Sequence, residues 1–206
     1  MSNLLKRFMC IVMLFISNYT HASASILPEG IFIIDNLRIG EATFDDIKSK
    51  FGSANTFKRS ALEESDILIC YSSSIKQRKA YLIFESGAMG GFNRITGFRL
   101  TNNFINKNCS NTEVDLLSLK TGAGVRLKQT KNDFLRIHKV NFRLKKNSKL
   151  LYQNESKREA TEEERQELQK NWPEEKQYYF DVLVNIEAKF RNNLLIEYKA
   201  SRVESF

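Results

Sequence analysis

Few side chains in this sequence could support catalysis, and their spacing does not bring them together. His138 is the single histidine after residue 24, which excludes histidine-rich zinc sites and leaves little room for a Ser-His-Asp triad. Asp45 and Asp46 are adjacent, so their side chains diverge on a helix and make a poor acid/base pair. The acidic run over residues 162–164 is typical of a solvated first helical turn. We therefore predict no catalytic or metal-binding residue and no cofactor, and we expect His138 to be structural.

Two of the three cysteines, Cys70 and Cys109, lie in the body of the chain. In an oxidising compartment such an isolated pair most often closes a disulfide. A closed loop of about 40 residues would stabilise the fold by roughly 4 kcal/mol. The alternative is a pair of buried free thiols.

The most distinctive charged segment spans residues 120–149, with ten basic residues against a single acidic one, Asp133. As a strand it would display Lys139, Arg143 and Lys145, continued by Lys146, and bury the residues between them. Those buried residues would be Val140, Phe142 and Leu144. Such a basic row could dock an acidic protein, lipopolysaccharide or phospholipid headgroups. The alternative is a solvated strand face, balanced by an acidic helix over residues 159–175.

The first 24 residues have the three parts of a secretory signal: the basic pair Lys6 and Arg7, an apolar run over residues 8–16, and Ala22-Ser23-Ala24. The apolar run is too short to span a bilayer, which takes about 20 residues. We therefore predict cleavage between Ala24 and Ser25 rather than a permanent anchor. Cys10 lies inside the apolar run without the small-residue pattern of a lipoprotein signal, so a lipid anchor is not expected.

The predicted mature chain is periplasmic or secreted and has no membrane span. It keeps 30 basic and 24 acidic residues. Export removes the usual nucleic-acid target, and no aromatic-interleaved recognition motif is present, so we do not expect a nucleic-acid partner.

Three helix starts share one spacing, a threonine hydroxyl three residues before a carboxylate, which lets each side chain cap a backbone N–H. The three pairs are Thr43 with Asp46, Thr130 with Asp133, and Thr161 with Glu164. The first helix places Phe44, Ile47 and Phe51 on one face and ends at Gly52. The third is acidic and should be mostly exposed, touching the core through Trp172.

Strands are predicted over residues 31–34, 66–72, 80–86, 93–101 and 180–190, with another after residue 193. The strands over 66–72 and 80–86 are apolar at both parities, which predicts cover on both faces. The glycine-rich segment over 87–91 is interpreted as a hairpin loop, the alternative being a ligand-gripping loop. A phosphate loop is disfavoured because a strand follows it, and not a helix.

The last two strands are predicted to join through a three-residue loop, residues 191–193. A two-residue turn at Asn192-Asn193 would put apolar residues opposite polar ones, because a one-residue slip moves every side chain to the other face. The predicted pairs are Phe190 with Leu194, Ala188 with Ile196, and Ile186 with Tyr198. The rejected pairs are Phe190 with Leu195 and Ala188 with Glu197.

The segment 126–134 echoes the segment 38–47, since in each a basic and an apolar residue lead into a capped helix. An internal duplication or a chance match would both produce this. The residues are Ile39-Gly40, Thr43-x-x-Asp46-Ile47 and Phe51-Gly52 in the first copy, and Leu127-Lys128 and Thr130-x-x-Asp133-Phe134 in the second.

Two such units in an exported chain resemble the tandem repeat of the beta-lactamase inhibitor protein fold. The single unit resembles the BamE (SmpA/OmlA) family of outer-membrane assembly proteins. The stretch from Ile69-Cys70-Tyr71 to Thr96-Gly97-Phe98 is also similar to uncharacterised proteobacterial envelope proteins. The chain departs from BamE proteins in having no lipoprotein signal, Lys128 in place of a glycine, and an extra acidic helix. The resemblance implies a binding scaffold and not an active site.

These observations predict an α+β fold in which two tandem helix-plus-antiparallel-strand units share a mainly antiparallel sheet, with helices packed on it. Residues 25–206 should form one compact domain, with units over about 30–110 and about 120–206. We expect a non-enzymatic periplasmic protein that docks a protein partner, as an envelope accessory or as an inhibitor or immunity protein. The alternatives are a small envelope hydrolase built from scattered Ser, Asp and Glu residues, and a polyanion binder that uses the basic strand.

Overall fold

The computed structural model describes residues 27–59, 66–75, 78–88, 91, 93–103, 108–145, 148–174 and 177–206. The predicted signal peptide and its cleavage site lie outside the described residues, as do Lys146 and part of the glycine-rich segment.

The described residues form a mixed α+β fold with a mainly antiparallel sheet. The strands are β1 (Ile33–Ile34), β2 (Leu37–Arg38), β3 (Thr56–Arg59), β4 (Asp66–Ile75), β5 (Arg78–Ser86), β6 (Gly97–Thr101), β7 (Ser110–Asn111), β8 (Arg143–Lys145), β9 (Lys149–Glu159), β10 (Tyr179–Arg191) and β11 (Leu194–Ser205). The helices are α1 (Phe44–Phe51), α2 (Lys131–His138) and α3 (Glu162–Asn171), and a 3₁₀ turn covers Glu29–Phe32.

The main sheet has the strand order β3-β4-β5-β6-β11-β10-β9-β8. Its neighbours along this path are all antiparallel, and β7 adds a short parallel pairing to β4. Strands β1 and β2 form a separate two-stranded ribbon. The centre of the sheet joins β6 to β11, so strands far apart in sequence become neighbours.

Helices α1 and α2 both pack on one face of the sheet, which we call the inner face. The ring of Phe51 lies 5.7 Å from that of Phe84 on β5, and the ring of Phe134 lies 5.5 Å from that of Phe190 on β10. These side chains belong to one large core that also includes the 3₁₀ turn. We call the opposite side of the sheet the outer face.

The predicted disulfide between Cys70 and Cys109 is present, with the two Cα atoms 4.6 Å apart. It ties β4 to the segment before β7. Cys70 lies on the outer face, where it packs with Leu68 and Ile83 in a second, smaller apolar cluster. Both faces of β4 and β5 are therefore buried here, in agreement with apolar residues at both parities.

The hairpin between β10 and β11 corrects the predicted register. Asn192 and Asn193 form a two-residue turn with φ of 50° and 63°, and Phe190 pairs with Leu195. Asparagine tolerates the left-handed conformation at both positions, which the favoured two-residue hairpin turn requires. The register then shifts between Lys189 and Phe190, which restores apolar pairs such as Ala188 with Tyr198.

As a result of this bulge, the apolar face of β11 begins at Leu195, which is buried, while Leu194 is 40% exposed. Parity therefore does not exclude a two-residue turn, because a bulge restores the apolar pairs beyond it.

Two other strand boundaries differ from the prediction. The apolar run over 31–34 divides between the 3₁₀ turn and β1. The strand predicted from residue 93 begins at Gly97, because the backbone of residues 93–95 bonds to the start of α1 and the turn before it. The glycine-rich segment connects β5 to its antiparallel neighbour β6, as the hairpin interpretation requires.

Candidate interaction surface

The predicted basic row does not form as a continuous strand. Lys139 ends α2 in the left-handed conformation, with φ of 53°, and the strand begins only at Arg143. Leu144, predicted to be buried, is 69% exposed, because β8 is a three-residue strand at the edge of the sheet. Arg143 and Lys145 remain exposed on the outer face, and Lys146 lies outside the described residues.

His138 lies in the core, far from any surface on which it could meet a substrate. Its Nδ1 donates to the carbonyl of Phe134 at 2.8 Å, which leaves Nε2 to accept from the hydroxyl of Tyr198 at 3.3 Å. Burial lowers the pKa of His138 to about 4, outweighing the hydrogen bond to Phe134, which raises it. The ring is therefore neutral at physiological pH and joins α2 to β11.

At each of the three predicted helix starts, the threonine hydroxyl accepts a hydrogen bond from the backbone N–H of the predicted acidic residue. The Thr43 hydroxyl accepts from the Asp46 N–H, and the Asp46 carboxylate accepts from the Thr43 N–H at 2.8 Å. Thr161 and Glu164 make the same reciprocal pair, whereas Thr130 accepts from Asp133 without the return bond from its own N–H. These residues hold helix ends in place.

A cleft of about 530 Å³ lies where the β2–α1 connection meets the ends of β9, β10 and β11. Four glutamates and four arginines line it, and each glutamate is already in an ion pair. The pairs are Arg38 with Glu29 at 3.1 Å and with Glu41 at 3.4 Å, Arg158 with Glu164 at 2.7 Å, and Glu204 with both Arg158 and Arg202.

Arg158 is the centre of this cleft. Its guanidinium makes two 2.7 Å bonds to Glu164 and lies 4.4 Å from the centre of the Phe180 ring. The hydrogen bonds from Arg158 hold the pKa of Glu164 down to about 2, despite partial burial. An acid/base catalyst needs a pKa nearer the working pH, so Glu164 is better suited to fasten α3 to the sheet through Arg158.

The outer face of β6, β11, β10 and β9 is not covered by a helix of the described chain. Cross-strand pairing places its side chains in rows, and one row joins Leu183 of β10 to Val203 of β11. Leu183 is 42% exposed. The next row contains Gly97, Ser201 and Asn185, which are small or polar.

The side chains around Gly97 leave no room for a larger residue at that position in the row. A Cβ atom added to Gly97 would lie 2.7 Å from a carboxylate oxygen of Glu85 and 3.0 Å from the Cβ of Ser201. The amide oxygen of Asn185 is buried but has no hydrogen-bond partner in the described part of the chain. The row therefore forms a shallow strip of short side chains, in which the amide oxygen of Asn185 is shielded from the surface.

Ion pairs lie next to this strip, on the side away from Leu183 and Val203. Lys199 bonds to Glu85 at 2.8 Å, Lys149 to Glu187 at 2.6 Å, and Lys189 to Glu197 at 2.6 Å. Burial alone would raise the pKa of Glu187, but the hydrogen bond from Lys149, with the charges of Lys149, Lys199 and Arg99, lowers it below its usual value. These pairs hold long side chains in fixed positions across four strands.

Sequence reasoning identified the polar side of β10 but missed this surface, and it also missed Arg158. The alternation over residues 180–190 marks Leu183, Asn185 and Glu187 as outward-facing. Their partners on β9, β11 and β6 follow from register and strand order, which alternation within one strand does not specify.

In the described ranges, no group of three or more His, Cys, Asp or Glu side chains could hold a metal ion. No helix among these residues is long and apolar enough to cross a membrane. No protein-family model, curated protein or solved structure matches this chain.

Proposed function

We propose that this chain is a non-enzymatic binding protein of the bacterial envelope that docks a protein partner on the outer face of its sheet. The observation that carries the proposal is the uncovered outer face of β6, β11, β10 and β9, with Leu183 partly exposed at its centre. A sheet face that no helix of the described residues covers is suited to bind another surface.

The chemistry of this face is that of a non-obligate interface, which combines an apolar centre with a polar rim. Leu183 and Val203 supply the apolar centre, and the strip of small residues leaves room for a protruding side chain. The surrounding ion pairs would orient the partner without a large entropy cost, since they are already ordered.

The expected export signal and the two capped helices on the inner face support an envelope accessory, or an inhibitor or immunity protein, built from two units. In such a protein the helices and the disulfide serve the scaffold, and the sheet face does the binding. Among the described residues of this face, none has the nucleophile and base arrangement that a hydrolase requires.

Site-specific crosslinking in living cells tests the proposal. A photoreactive phenylalanine analogue replaces Leu183, and the same analogue replaces Lys170 on the exposed side of α3 as the matched control. We expect one discrete protein adduct from position 183 and none from position 170. The adduct should disappear when Asn185→Arg is added, because the longer side chain fills the strip.

Equal crosslinking from both positions, or an adduct that survives Asn185→Arg, would contradict docking at the outer face. Thermal melting of each variant shows that a loss of crosslinking is not a loss of folding.

A further inference from the structure

Within the described residues, the edge of β9 is unpaired over most of its length. Strand β8 pairs only with Lys149, Leu150 and Leu151, while β10 pairs with β9 along the whole strand. Before β8, the chain turns away and places the ring of Phe142 6.1 Å from that of Tyr152. From residue 153 to residue 159, no strand of the described chain lies on the side of β9 opposite β10.

An open strand edge is a template for pairing with another strand. The open run, residues 153–159, reads Gln-Asn-Glu-Ser-Lys-Arg-Glu, and its midpoint is Ser156. We propose that two copies of this protein form a symmetric dimer by antiparallel pairing of their β9 edges, with the two-fold axis at Ser156.

Parity restricts the possible registers. In an antiparallel pair of β9 strands, the outer faces of the two copies lie on the same side only when odd-numbered residues face odd-numbered ones and even face even. In a two-fold symmetric pair this requires the axis to pass through a residue and not between two residues. The axis can then lie at Glu155, Ser156 or Lys157 while keeping most of the open run paired.

The charges of the facing side chains favour one of these three axis positions. An axis at Glu155 puts the two Glu155 carboxylates opposite each other, and an axis at Lys157 does the same with the two lysines. An axis at Ser156 instead puts Glu155 of each copy opposite Lys157 of the other, and does so twice. Opposite charges in facing positions stabilise a strand pair, whereas like charges destabilise it.

The remaining pairs of the Ser156 register are also compatible. Gln153 faces Glu159 on the outer face, and Asn154 faces Arg158 on the inner face, so no like charges meet. Asn154 and Ser156 also line a cavity of about 450 Å³ on the inner face, with Val182 and Val184 in its wall. Continuation of the sheet across the axis would extend this wall into the second copy.

The residues that carry the proposal are available for pairing. Glu155 and Ser156 are exposed, and the side chain of Lys157 is 70% exposed. The ion pair of Lys157 with Asp181 is long, at 3.9 Å, and both partners are exposed, so a new partner can replace it.

A charge-reversal cycle tests the proposal by sedimentation equilibrium at protein concentrations from about 1 µM to about 1 mM. The wild-type protein should show a reversible monomer–dimer equilibrium in this range. E155K and K157E should each weaken the dimer at least about tenfold, because both cross-axis contacts become repulsive. The double variant E155K/K157E should recover wild-type dimerisation, since the swapped charges again face each other.

K170E is the matched control, with the same charge change on α3, and should dimerise like the wild-type protein. Thermal melting confirms that each variant is folded. A wild-type protein that stays monomeric at every concentration overturns the proposal. So does a single reversal without effect, or a double variant that remains as weak as the single ones. Glu155 lies beside Leu183 on the outer face, so the mass of the crosslinked adduct separates the two proposals: a second copy of this chain indicates the edge dimer, and a different protein indicates docking on the face.

Discussion

Helices α1 and α2 begin with the same threonine-to-aspartate spacing, yet they are held in place differently. In α1 the cap is complete within the helix, because Thr43 and Asp46 exchange two backbone hydrogen bonds. In α2 the Asp133 carboxylate accepts from the Thr130 hydroxyl and from Arg136, at 2.8 and 2.7 Å. The first N–H of each helix donates to a distant carbonyl, that of Phe44 to Asn93 and that of Lys131 to Asn193 in the β10–β11 turn.

The two helices also end differently. Helix α1 ends at Gly52, with φ of 95° and ψ of 169°, a conformation that is almost restricted to glycine. Helix α2 ends with the buried His138 and then Lys139 in the left-handed region. Both helices bond to distant segments, but α1 also has a complete local cap and a glycine end, whereas α2 lacks both and ends in a histidine that bonds to β11.

The largest difference should appear on removal of the aromatic side chain at the centre of α2. Phe134 contacts the rings of His138, Phe142, Phe190 and Tyr198. We expect Phe134→Ala to lower the free energy of unfolding by up to about 5 kcal/mol, from lost burial and the cavity left behind. Urea unfolding measures this loss. Phe51→Ala in α1, which removes fewer aromatic contacts, should cost less; an equal or larger cost would contradict the comparison.

Removal of the disulfide should give the next largest effect, and it should affect β4 and β5 more than α2. Cys70→Ala with Cys109→Ala should lower the free energy of unfolding by about 4 kcal/mol, because the unfolded chain regains the freedom of a long loop. Since the bond lies beside β4 and β5, hydrogen exchange should become faster in those strands before it does in α2. Uniform acceleration across the whole chain would show that the two regions unfold as one unit.

His138 makes the α2 region sensitive to pH. Its pKa is about 4 when folded and about 6.5 when unfolded, so below pH 6.5 the unfolded chain binds more protons than the folded one. The neutral ring's contribution to stability is therefore present above pH 6.5 and is lost as the pH falls toward 4, by about 3 kcal/mol in total.

Urea unfolding of wild type and His138→Gln between pH 7 and pH 4 measures this contribution. The glutamine variant should lose less stability on acidification than the wild-type protein. Parallel pH profiles for the two proteins would mean that His138 does not carry the acid sensitivity.

The smallest effects concern the helix ends and should have opposite signs. Gly52→Ala should destabilise the protein by about 2 kcal/mol, through backbone strain alone, because nothing lies within 4 Å of the added methyl group. Lys139→Gly should stabilise it by up to about 1 kcal/mol, since φ of 53° is unfavourable for lysine. Thermal melting of both variants measures the shifts, and two shifts of the same sign would refute the contrast between the helix ends.

Much of the local structure could be predicted because its causes lie within a few residues. The cap spacing and Gly52 locate α1, and alternation over residues 180–190 locates β10 and its buried side. The disulfide could be predicted because Cys70 and Cys109 are the pair left after residue 24. The candidate surface could be predicted only in part, since Leu183 and Asn185 were outward-facing but their neighbours were unknown.

The wrong predictions concern features that depend on how two distant segments of the chain pair or pack. The β10–β11 register was wrong because a bulge after a two-residue turn preserves parity as well as a three-residue loop does. The predicted burial of Leu144 was wrong because alternation predicts the side of the strand on which a residue lies, but not whether another element covers that side. The ion pairs of Arg158 reach Glu204, 46 residues away, and no local pattern connects them.

By itself, therefore, the sequence determined the helix starts, the buried parity of β10, the cysteine pair and the excess of basic charge. These follow from interactions within one turn, one strand or one composition. The tertiary structure alone decided which strands are neighbours, and with that which side chains share the outer face and which strand edge stays open. Those features depend on hydrogen bonding between β6 and β11 and between β9 and β10, which closes long loops and is specified by packing of the whole core.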